Sequence, residues 1–339
     1  MKTAIIAVTL TAAAALGGVA AAESATLKEV KARGYLKCGV SDGLTGFSNP
    51  DSQGNWSGID VDVCRAVAAA IFDDPNAVRY TSTTAKERFT ALTKGEFDIL
   101  SRNTTITMQR DAGLGMEFTG VTYYDGQGFI VKTDSGVASV NDLNGATVCT
   151  QTGTTTELNV ADYFGAHGMT YQILAFEKES EALSAYDSGR CDTYTTDQSG
   201  LFAAKLELAD ANAHTILPEI ISKEPLGPAV RQGDDAWEDL VRWTFYAMVN
   251  AEEMGVTSQN VDEMLKSPSP EIRRLLGVEG DFGTQIGLTN DWAVRVIRKV
   301  GNYGEIFERN VGMGSQLKIP RGKNALWNQG GLQYAPPIH

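Results

Sequence analysis

The sequence predicts an α/β protein built from two successive units of similar architecture. Segments with strand character alternate with helical patterns between residues 35 and 100, and the alternation restarts after Val121–Tyr124. Strands that alternate with helices pair into a mostly parallel sheet. A chain of 339 residues is also long enough for two domains or lobes.

The first unit begins with a strand at Tyr35–Val40, followed by a loop over residues 41–58 that is rich in the residues typical of turns. A helix is predicted over Ile59–Phe72, because apolar side chains recur every four residues from Ile59 to Ile71. The remaining predicted elements are a strand at Arg79–Ser82, a helix at Glu87–Lys94 and a strand at Phe97–Leu100.

The second unit follows the same pattern. Its predicted elements are strands at Gly128–Val131, Ala146–Thr150, Tyr171–Leu174 and Cys191–Tyr194, a short helix at Val140–Leu143 and a longer one at Glu179–Ser188. Thr154 is predicted to cap a further helix, because Glu157 follows three residues later as in a capping box. The proline-rich stretch Pro218–Arg231 suggests a return crossover, and an amphipathic helix is predicted at Trp237–Ala251.

Residues 1–22 have the layout of a secretory signal peptide. Lys2 precedes an apolar run, and Ala20–Ala22 matches the small-residue cleavage site. The run is too short and too rich in alanine to span a bilayer comfortably. Cleavage and export are therefore expected.

The composition excludes several classes of function. A net charge of −13 at pH 7 disfavours partners that are themselves anionic, so neither nucleic acid nor an anionic membrane surface is expected. Only three histidines occur, and no His or Cys spacing resembles a metal site. We expect neither a metal nor a cofactor.

The cysteines are Cys38, Cys64, Cys149 and Cys191, and all four lie in the exported part. Export favours disulfides. Four cysteines allow three pairings, and spacing alone does not choose among them. We favour Cys38–Cys64 and Cys149–Cys191, because each pair then lies within one unit; four buried thiols are the alternative.

Three features together indicate a site for a zwitterion. Arg110, at the end of the polar loop Ser101–Gln109, can grip a carboxylate with a planar fork of donors. The turn at Gly153–Thr156 offers N–H groups at a helix N-terminus, which suits an anion, although ordinary helix capping would use the same residues. Asp197 follows a strand and suits an ammonium group, with a surface position as the alternative.

The chain resembles the periplasmic amino-acid-binding proteins of ABC importers. Gly58–Asp62 is similar to the family's "G-[FI]-D-[VI]-D" helix start, and Asn103–Arg110 is similar to its "S-x-[ST]-I-T-x-x-R" ligand loop. The segments Tyr123–Phe129 and Pro320–Trp327 resemble the subgroup of general L-amino-acid-binding proteins, which includes binders of glutamate, glutamine, aspartate and asparagine.

The resemblance implies a type II bilobal fold with two crossover strands, which closes on its ligand by a hinge motion. It implies a first lobe at residues 23–123 and 232–339, including a C-terminal extension, and a second lobe at 124–231. It also implies a role for each matching residue. Arg110 would hold the α-carboxylate, helped by Thr105 and the N–H groups of Thr154 and Thr155. Asp197 would bind the α-ammonium, Phe47 would pack against the carbon chain, and Asn103 of the same loop would also contact the ligand.

Two positions depart from the pattern of relatives that bind cationic amino acids. Ser41 stands where those relatives carry an aspartate, and Ala85–Lys86 replaces an aromatic platform. Lys86 and Arg102 would tilt the pocket towards acidic or amide side chains. A broad specificity fits equally well, and both cations could simply be solvated.

The leading hypothesis is therefore a periplasmic receptor that binds L-amino acids and delivers them to an ABC permease. We expect it to act as a monomer and without enzymatic activity. The alternative is an enzyme on the same bilobal scaffold, such as a dehydratase or a lytic transglycosylase-like protein. That alternative needs an acid/base group in the cleft, and Asp197 is the one good candidate in the motifs.

Overall fold

The computed structural model describes residues 24–339, and it confirms the expected bilobal α/β fold. Each lobe is built around a five-stranded sheet. Two crossover strands, which pair with each other, join the lobes. The expected signal peptide, residues 1–22, lies outside the described residues.

Fourteen strands occur within residues 24–339 and are numbered in chain order. Their bounds are β1 Leu36–Val40, β2 Asn49–Pro50, β3 Trp56–Ser57, β4 Val78–Ser82, β5 Ile99–Leu100, β6 Met116–Phe118, β7 Tyr123–Asp125, β8 Gln127–Lys132, β9 Thr147–Gln151, β10 Gln172–Phe176, β11 Thr193–Asp197, β12 His214–Ile216, β13 Glu224–Leu226 and β14 Ala229–Arg231.

Thirteen α-helices occupy the same described range. Their bounds are α1 Ala25–Arg33, α2 Ile59–Phe72, α3 Arg88–Thr93, α4 Met108–Gly113, α5 Thr155–Ala166, α6 Glu179–Asp187, α7 Gln198–Glu207, α8 Asp235–Glu253, α9 Val261–Met264, α10 Pro270–Leu275, α11 Phe282–Gln285, α12 Trp292–Lys299 and α13 Tyr303–Asn310. Short 3-10 helices lie at Thr133–Ser135, Val140–Leu143, Ala211–Ala213, Gly322–Asn324 and Trp327–Gln329.

The two sheets share one topology. The first has the strand order β4-β1-β5-β14-β6, in which β1 is parallel to β4 and β5, and β14 is antiparallel to both of its neighbours. The second has the order β10-β9-β11-β8-β12, in which β8 is antiparallel to both of its neighbours. In each sheet the four other strands share one direction, as the alternation of strands and helices predicts.

The expected boundary after residue 231 differs from the observed strand pairing. Ala229–Arg231 form β14, which already pairs with β5 and β6 in the first sheet. The chain therefore returns to the first lobe before Arg231. Backbone hydrogen bonds decide this point, and composition does not reveal them.

Both expected disulfides are confirmed. Cys38 on β1 is bonded to Cys64 on α2, and Cys149 on β9 is bonded to Cys191 just before β11. Each bond lies inside one lobe, so neither one ties the lobes to each other.

The C-terminal segment after residue 260 completes the first lobe. Helix α2, which has the bounds that its apolar spacing predicts, is buried along nearly its whole length. It packs against α8, α12 and α13, and the last two belong to the C-terminal segment. Across residues 24–339, none of the helices is long and apolar enough to cross a membrane.

Thr154 occupies the N-cap position of α5, as predicted, but its side chain does not form the predicted capping hydrogen bond. The hydroxyl of Thr154 donates to the carbonyl oxygen of Gln151 at 2.7 Å, and no capping bond to its side chain occurs among the described residues of α5. In the turn before α5, this hydroxyl points towards Gln151, the last residue of β9. The proposed capping box with Glu157 therefore does not form.

The C-terminal segment also supports one of the crossover strands, β7, through hydrogen bonds. Strand β7 pairs with β13 in antiparallel fashion to link the lobes. The side chain of Asn324 accepts a hydrogen bond from the Tyr124 N–H at 2.7 Å and donates one to the Tyr124 carbonyl oxygen at 3.1 Å. The buried amide of Asn324 thus extends the pairing of β7 on its free side.

We predict that Asn324→Ala lowers the free energy of unfolding by about 1–3 kcal/mol, because it leaves both backbone groups of Tyr124 without this partner. Urea denaturation measures the change. Asn328 is exposed and serves as a matched control, since Asn328→Ala should change the stability by less than about 0.5 kcal/mol. Equal stability of the two variants would contradict the bracing role of Asn324.

Candidate functional site

An enclosed cavity lies between the lobes, where strands of both sheets end. The segments that follow β1, β4 and β5 line it from the first lobe, and the segments after β9, β10 and β11 line it from the second. Ligands of open α/β sheets gather at such carboxyl ends of parallel strands. The lining residues are Leu44, Arg88, Arg102, Asn103, Thr105, Gln151, Thr154, Thr155, Thr156, Glu179, Thr196, Asp197, Ser199 and Gly200.

Arg88, at the start of α3, is a cation of this cavity that the sequence analysis missed. Its side chain is buried, with Nη1 3.3 Å from the Thr104 hydroxyl and 3.5 Å from the Arg102 carbonyl oxygen. Its Nε has no hydrogen-bond partner within residues 24–339. Burial, followed by repulsion from Arg102 and Arg110, lowers the pKa of the Arg88 guanidinium well below its ordinary value. An anionic group in the cavity would relieve both penalties.

Arg102 is fixed in the wall of the cavity and is not a solvated bystander. Its side chain is buried, and its Nε donates to the Thr83 carbonyl oxygen at 3.0 Å. Its Nη2 lies 3.8 Å from a carboxylate oxygen of Asp42. Burial lowers the pKa of Arg102, and the Asp42 charge opposes that shift.

Asn103 presents an unused acceptor to the same cavity. Its φ of +25° is unusual for a residue other than glycine, but asparagine tolerates this region. The Asn103 N–H donates to Asp60 at 2.8 Å, while its Oδ1 is buried without a partner in the described chain. Burial raises the pKa of Asp60 to about 6.

Arg110 lies close to the cavity but is not among the described residues that line it. Its Nη1 donates to the Thr105 carbonyl oxygen at 2.9 Å, and its guanidinium sits 5.1 Å from the centre of the Phe89 ring. Burial lowers its pKa, while the charges of Glu224 and Asp197 act in the opposite direction. In this arrangement Arg110 supports the loop of Thr105, and Arg88 and Arg102 are the arginines that face the cavity.

Asp197 lies in the opposite wall, at the junction of β11 and α7. Its carboxylate is buried and receives no hydrogen bond from any residue in the described range 24–339. Burial, with the nearby charges of Asp125 and Glu224, raises the pKa of Asp197 well above its ordinary value, and Arg88 opposes the shift. A carboxylate so short of donors suits an ammonium group.

Glu179, at the start of α6, is a second lining residue that the sequence analysis missed. Its carboxylate accepts a hydrogen bond from the Tyr194 hydroxyl at 3.3 Å. Burial raises the pKa of Glu179 to about 7, and the charge of Arg102 is the main opposing influence. Glu179 therefore faces Arg102 across the cavity.

The threonines of the cleft have different roles. The hydroxyls of Thr105 and Thr155 come from opposite lobes and lie 3.4 Å apart. Both of them donate to the carboxylate of Glu224, whereas the Thr154 hydroxyl donates to the Gln151 carbonyl oxygen. The walls of the cleft are thus in contact, and the protein is in a closed arrangement.

Phe47 does not lie where the resemblance suggested. It is buried in the core of the first lobe, with its ring centre 5.3 Å from that of Tyr123 in an edge-on contact. Leu44, three residues earlier, is the apolar side chain that lines the cavity. Phe47 packs against the crossover strand β7 and lies beneath the residues that line the cavity.

Lys86 is exposed at the junction of the lobes and is not among the described residues that line the cavity. Its backbone lies against Gly153 of the second lobe, where an added Cβ would come within 3.0 Å of the Lys86 Cα. Gly153 also has a φ of +78°, so both its conformation and this contact require glycine.

The sequence gives only weak indications that Arg88 and Glu179, the two residues that the sequence analysis missed, belong to the site. Arg88 is a cation in the first turn of a predicted helix, where the helix dipole disfavours positive charge. Glu179 begins α6 directly after a strand, at the sheet edge where ligands gather. Among residues 24–339, no cluster of three or more His, Cys, Asp or Glu is placed to hold a metal ion.

An enclosed polar cavity between two α/β lobes defines a solute-binding protein. The chain belongs to the family of bacterial extracellular solute-binding proteins, family 3, whose model matches residues 36–260. The resemblance that the motifs indicate is therefore confirmed, and the segment after residue 260 lies beyond the family match.

Three similar proteins cover nearly the whole chain. It is 60% identical to the general L-amino acid-binding periplasmic protein AapJ of Rhizobium johnstonii, over 100% of both chains. It is 54% identical to the glutamate/glutamine/aspartate/asparagine-binding protein BztA of Rhodobacter capsulatus, over 94% of each. A solved periplasmic binding protein from Brucella ovis with glutathione bound is 59% identical, with a TM-score of 0.91, 93% of this chain and 99% of that chain covered.

We predict a pH-dependent effect of Glu179→Gln on the stability of the ligand-free protein. Since the pKa of Glu179 is raised from 4.5 to about 7, ionisation of the folded protein is disfavoured. The wild type should lose stability relative to the variant as the pH rises between these two values. Above pH 7 we expect the variant to be more stable by roughly 1–3 kcal/mol, and below pH 4.5 the two should be equal.

Urea denaturation at a series of pH values measures this difference. Glu181→Gln is the matched control, because Glu181 lies on the same helix and is exposed. A stability difference for Glu179→Gln that does not vary with pH would show that Glu179 ionises normally.

Proposed function

We propose that this protein is a periplasmic receptor that captures L-amino acids between its lobes and delivers them to an ABC permease. Its preferred ligands are amino acids with acidic or amide side chains. The names of the relatives AapJ and BztA support this proposal, since both are called amino-acid-binding proteins.

The observation that carries the proposal is a set of unpaired polar atoms around one cavity. Arg88 Nε and Asn103 Oδ1 have no partner in the described chain, and the Asp197 carboxylate receives no hydrogen bond there. Buried polar groups are normally hydrogen-bonded, and leaving one unpaired costs roughly 1–3 kcal/mol. A ligand with an anionic group for Arg88 and an ammonium group for Asp197 and Asn103 satisfies all three.

The preference for acidic or amide side chains rests on Arg102 and Glu179. Arg102 offers donors to a ligand carboxylate or to an amide oxygen. Glu179, with a pKa raised to about 7, can donate a hydrogen bond when protonated and accept one from an amide N–H when ionised. A cationic side chain would approach both Arg88 and Arg102, so lysine and arginine are disfavoured.

A binding role is favoured over an enzymatic one. General acid/base chemistry needs a proton-transferring group that can reach the reacting atoms. Asp197 is the strongest candidate, but the ammonium group of a bound amino acid would occupy it. The relatives with nearly complete coverage are also named as binding proteins.

The cellular setting follows from the same proposal. We place the mature receptor in the periplasm after cleavage of residues 1–22, with lobes at 23–123 and 232–339 and at 124–231, apart from the return of β14. Both walls of the cavity come from one chain, so a second subunit is not needed to complete it, and we propose that the receptor acts as a monomer.

Isothermal titration calorimetry with the twenty amino acids tests the function. We expect L-glutamate, L-glutamine, L-aspartate and L-asparagine to bind at least tenfold more tightly than L-lysine or L-arginine. Glutathione belongs in the panel, because a relative is described with it bound and its γ-glutamyl end carries the same zwitterionic group. Binding of none of these ligands would disprove the proposal, and conversion of a ligand during incubation would favour the enzyme.

We predict that Arg88→Met weakens the binding of L-glutamate at least tenfold, because a buried carboxylate loses a charge-assisted donor. Methionine retains the apolar stem, so the wall keeps its shape. Arg190→Met, at an exposed position of the second lobe, is the control and should bind within twofold of the wild type. Calorimetry that finds the same affinity for Arg88→Met and the control would remove Arg88 from the site.

A further inference from the structure

Glu224 occupies an unusual position in the crossover strand β13. Its side chain is almost fully buried, with 1% of the residue exposed, and it is not among the described residues that line the cavity. Its two oxygens nevertheless accept four hydrogen bonds. The donors are the hydroxyls of Thr105 at 2.6 Å, Thr155 at 2.9 Å and Ser222 at 2.7 Å, and the amide of Asn159 at 2.6 Å.

These donors come from both lobes. Thr105 lies in the loop after β5 of the first lobe, while Thr155 and Asn159 lie on α5 of the second. A single carboxylate therefore joins the two walls of the cleft. Such a set of hydrogen bonds is complete when the lobes are closed, and separation of the walls breaks it.

The hydrogen bonds to Glu224 also determine whether the hydroxyls of Thr105 and Thr155 act as donors or as acceptors towards the cavity. A threonine hydroxyl has one proton, and both Thr105 and Thr155 direct theirs to the same oxygen of Glu224. Their lone pairs are then left for the cavity that both residues line. Acceptors in this place suit an ammonium group, as Asp197 does, and do not suit a carboxylate.

We propose that Glu224 is a positioning residue for amino-acid binding, which joins the closed walls and turns the hydroxyls of Thr105 and Thr155 into acceptors for the ligand's ammonium group. This inference rests on the proposed function and deepens it.

Glu224→Gln is the informative variant, because it preserves size and shape while replacing one oxygen by an NH2 group. The Asn159 amide donates to the other carboxylate oxygen, so the glutamine oxygen stays on that side and the NH2 group faces Thr105 and Thr155. This NH2 group must donate to the two hydroxyls, so their protons turn towards the cavity and meet the ammonium group. We expect the affinity for L-glutamate and for L-glutamine to fall at least tenfold in calorimetry. The melting temperature of the ligand-free variant should stay close to that of the wild type.

A matched control separates this role from general support of the fold. Asp62 is also a buried carboxylate with several donors, namely Arg65, Arg309 and Asn310, but all of them belong to the first lobe. Asp62→Asn should lower the melting temperature of the ligand-free protein and leave the affinity for L-glutamate within threefold of the wild type.

A double-mutant comparison tests whether Glu224 acts through the hydroxyls. In a Thr105→Val and Thr155→Val background, both hydroxyls are missing, so the effect of Glu224→Gln on affinity should shrink to threefold or less. The background itself should bind more weakly than the wild type, and this measurement stands even if Glu224→Gln folds poorly.

Two results would overturn the inference: wild-type affinity in Glu224→Gln, or an undiminished effect of this change in the valine background. A wild-type protein that binds no amino acid fails at an earlier step, because the proposed function itself is then wrong. Tight binding by the wild type together with either of the two results rejects the role of Glu224 alone.

Discussion

The two lobes close over charged groups that neither lobe neutralises by itself. The first lobe contributes Arg88, whose buried Nε is unpaired in the described chain, and the second contributes Asp197, whose carboxylate receives no hydrogen bond there. Burial of unpaired charge is expensive, which is why the pKa values of both groups are displaced from their ordinary ranges. A ligand that carries both signs of charge removes the penalty for both lobes at once, so closure and binding depend on each other.

The covalent cross-links of the protein lie within the lobes and not between them. One disulfide lies in each lobe, and neither crosses the cleft. The links between lobes are the paired strands β7 and β13, which Asn324 of the C-terminal segment supports from one side. This division would let the strand ends keep their geometry during a movement of one lobe relative to the other. Hinge closure around a ligand is a common motion of such two-lobed proteins.

Negatively and positively charged side chains lie in different parts of the cavity wall. Asp197, Asp125 and Glu224 lie close enough to raise the pKa of Asp197 together, and they form a negative region at the crossovers. Arg88 and Arg102 supply the positive charge of the opposite wall, with Glu179 facing Arg102. Such a field would orient a small zwitterion. Arg102 and Glu179 line the cavity from opposite lobes.

Local patterns in the sequence determined much of this protein. The bounds of α2 follow from apolar spacing, the disulfide pairs follow from the division into two units, and the ligand loop with Asp197 indicated a zwitterion site. Only the tertiary structure decided that Arg88 lines the cavity while Arg110 bonds to the Thr105 carbonyl oxygen, and that Leu44 replaces Phe47 in the wall. The same holds for Glu224, which meets Thr105 across 119 positions of sequence. The order of strands in the sheets brings these distant segments together, and no short-range pattern in the chain encodes that order.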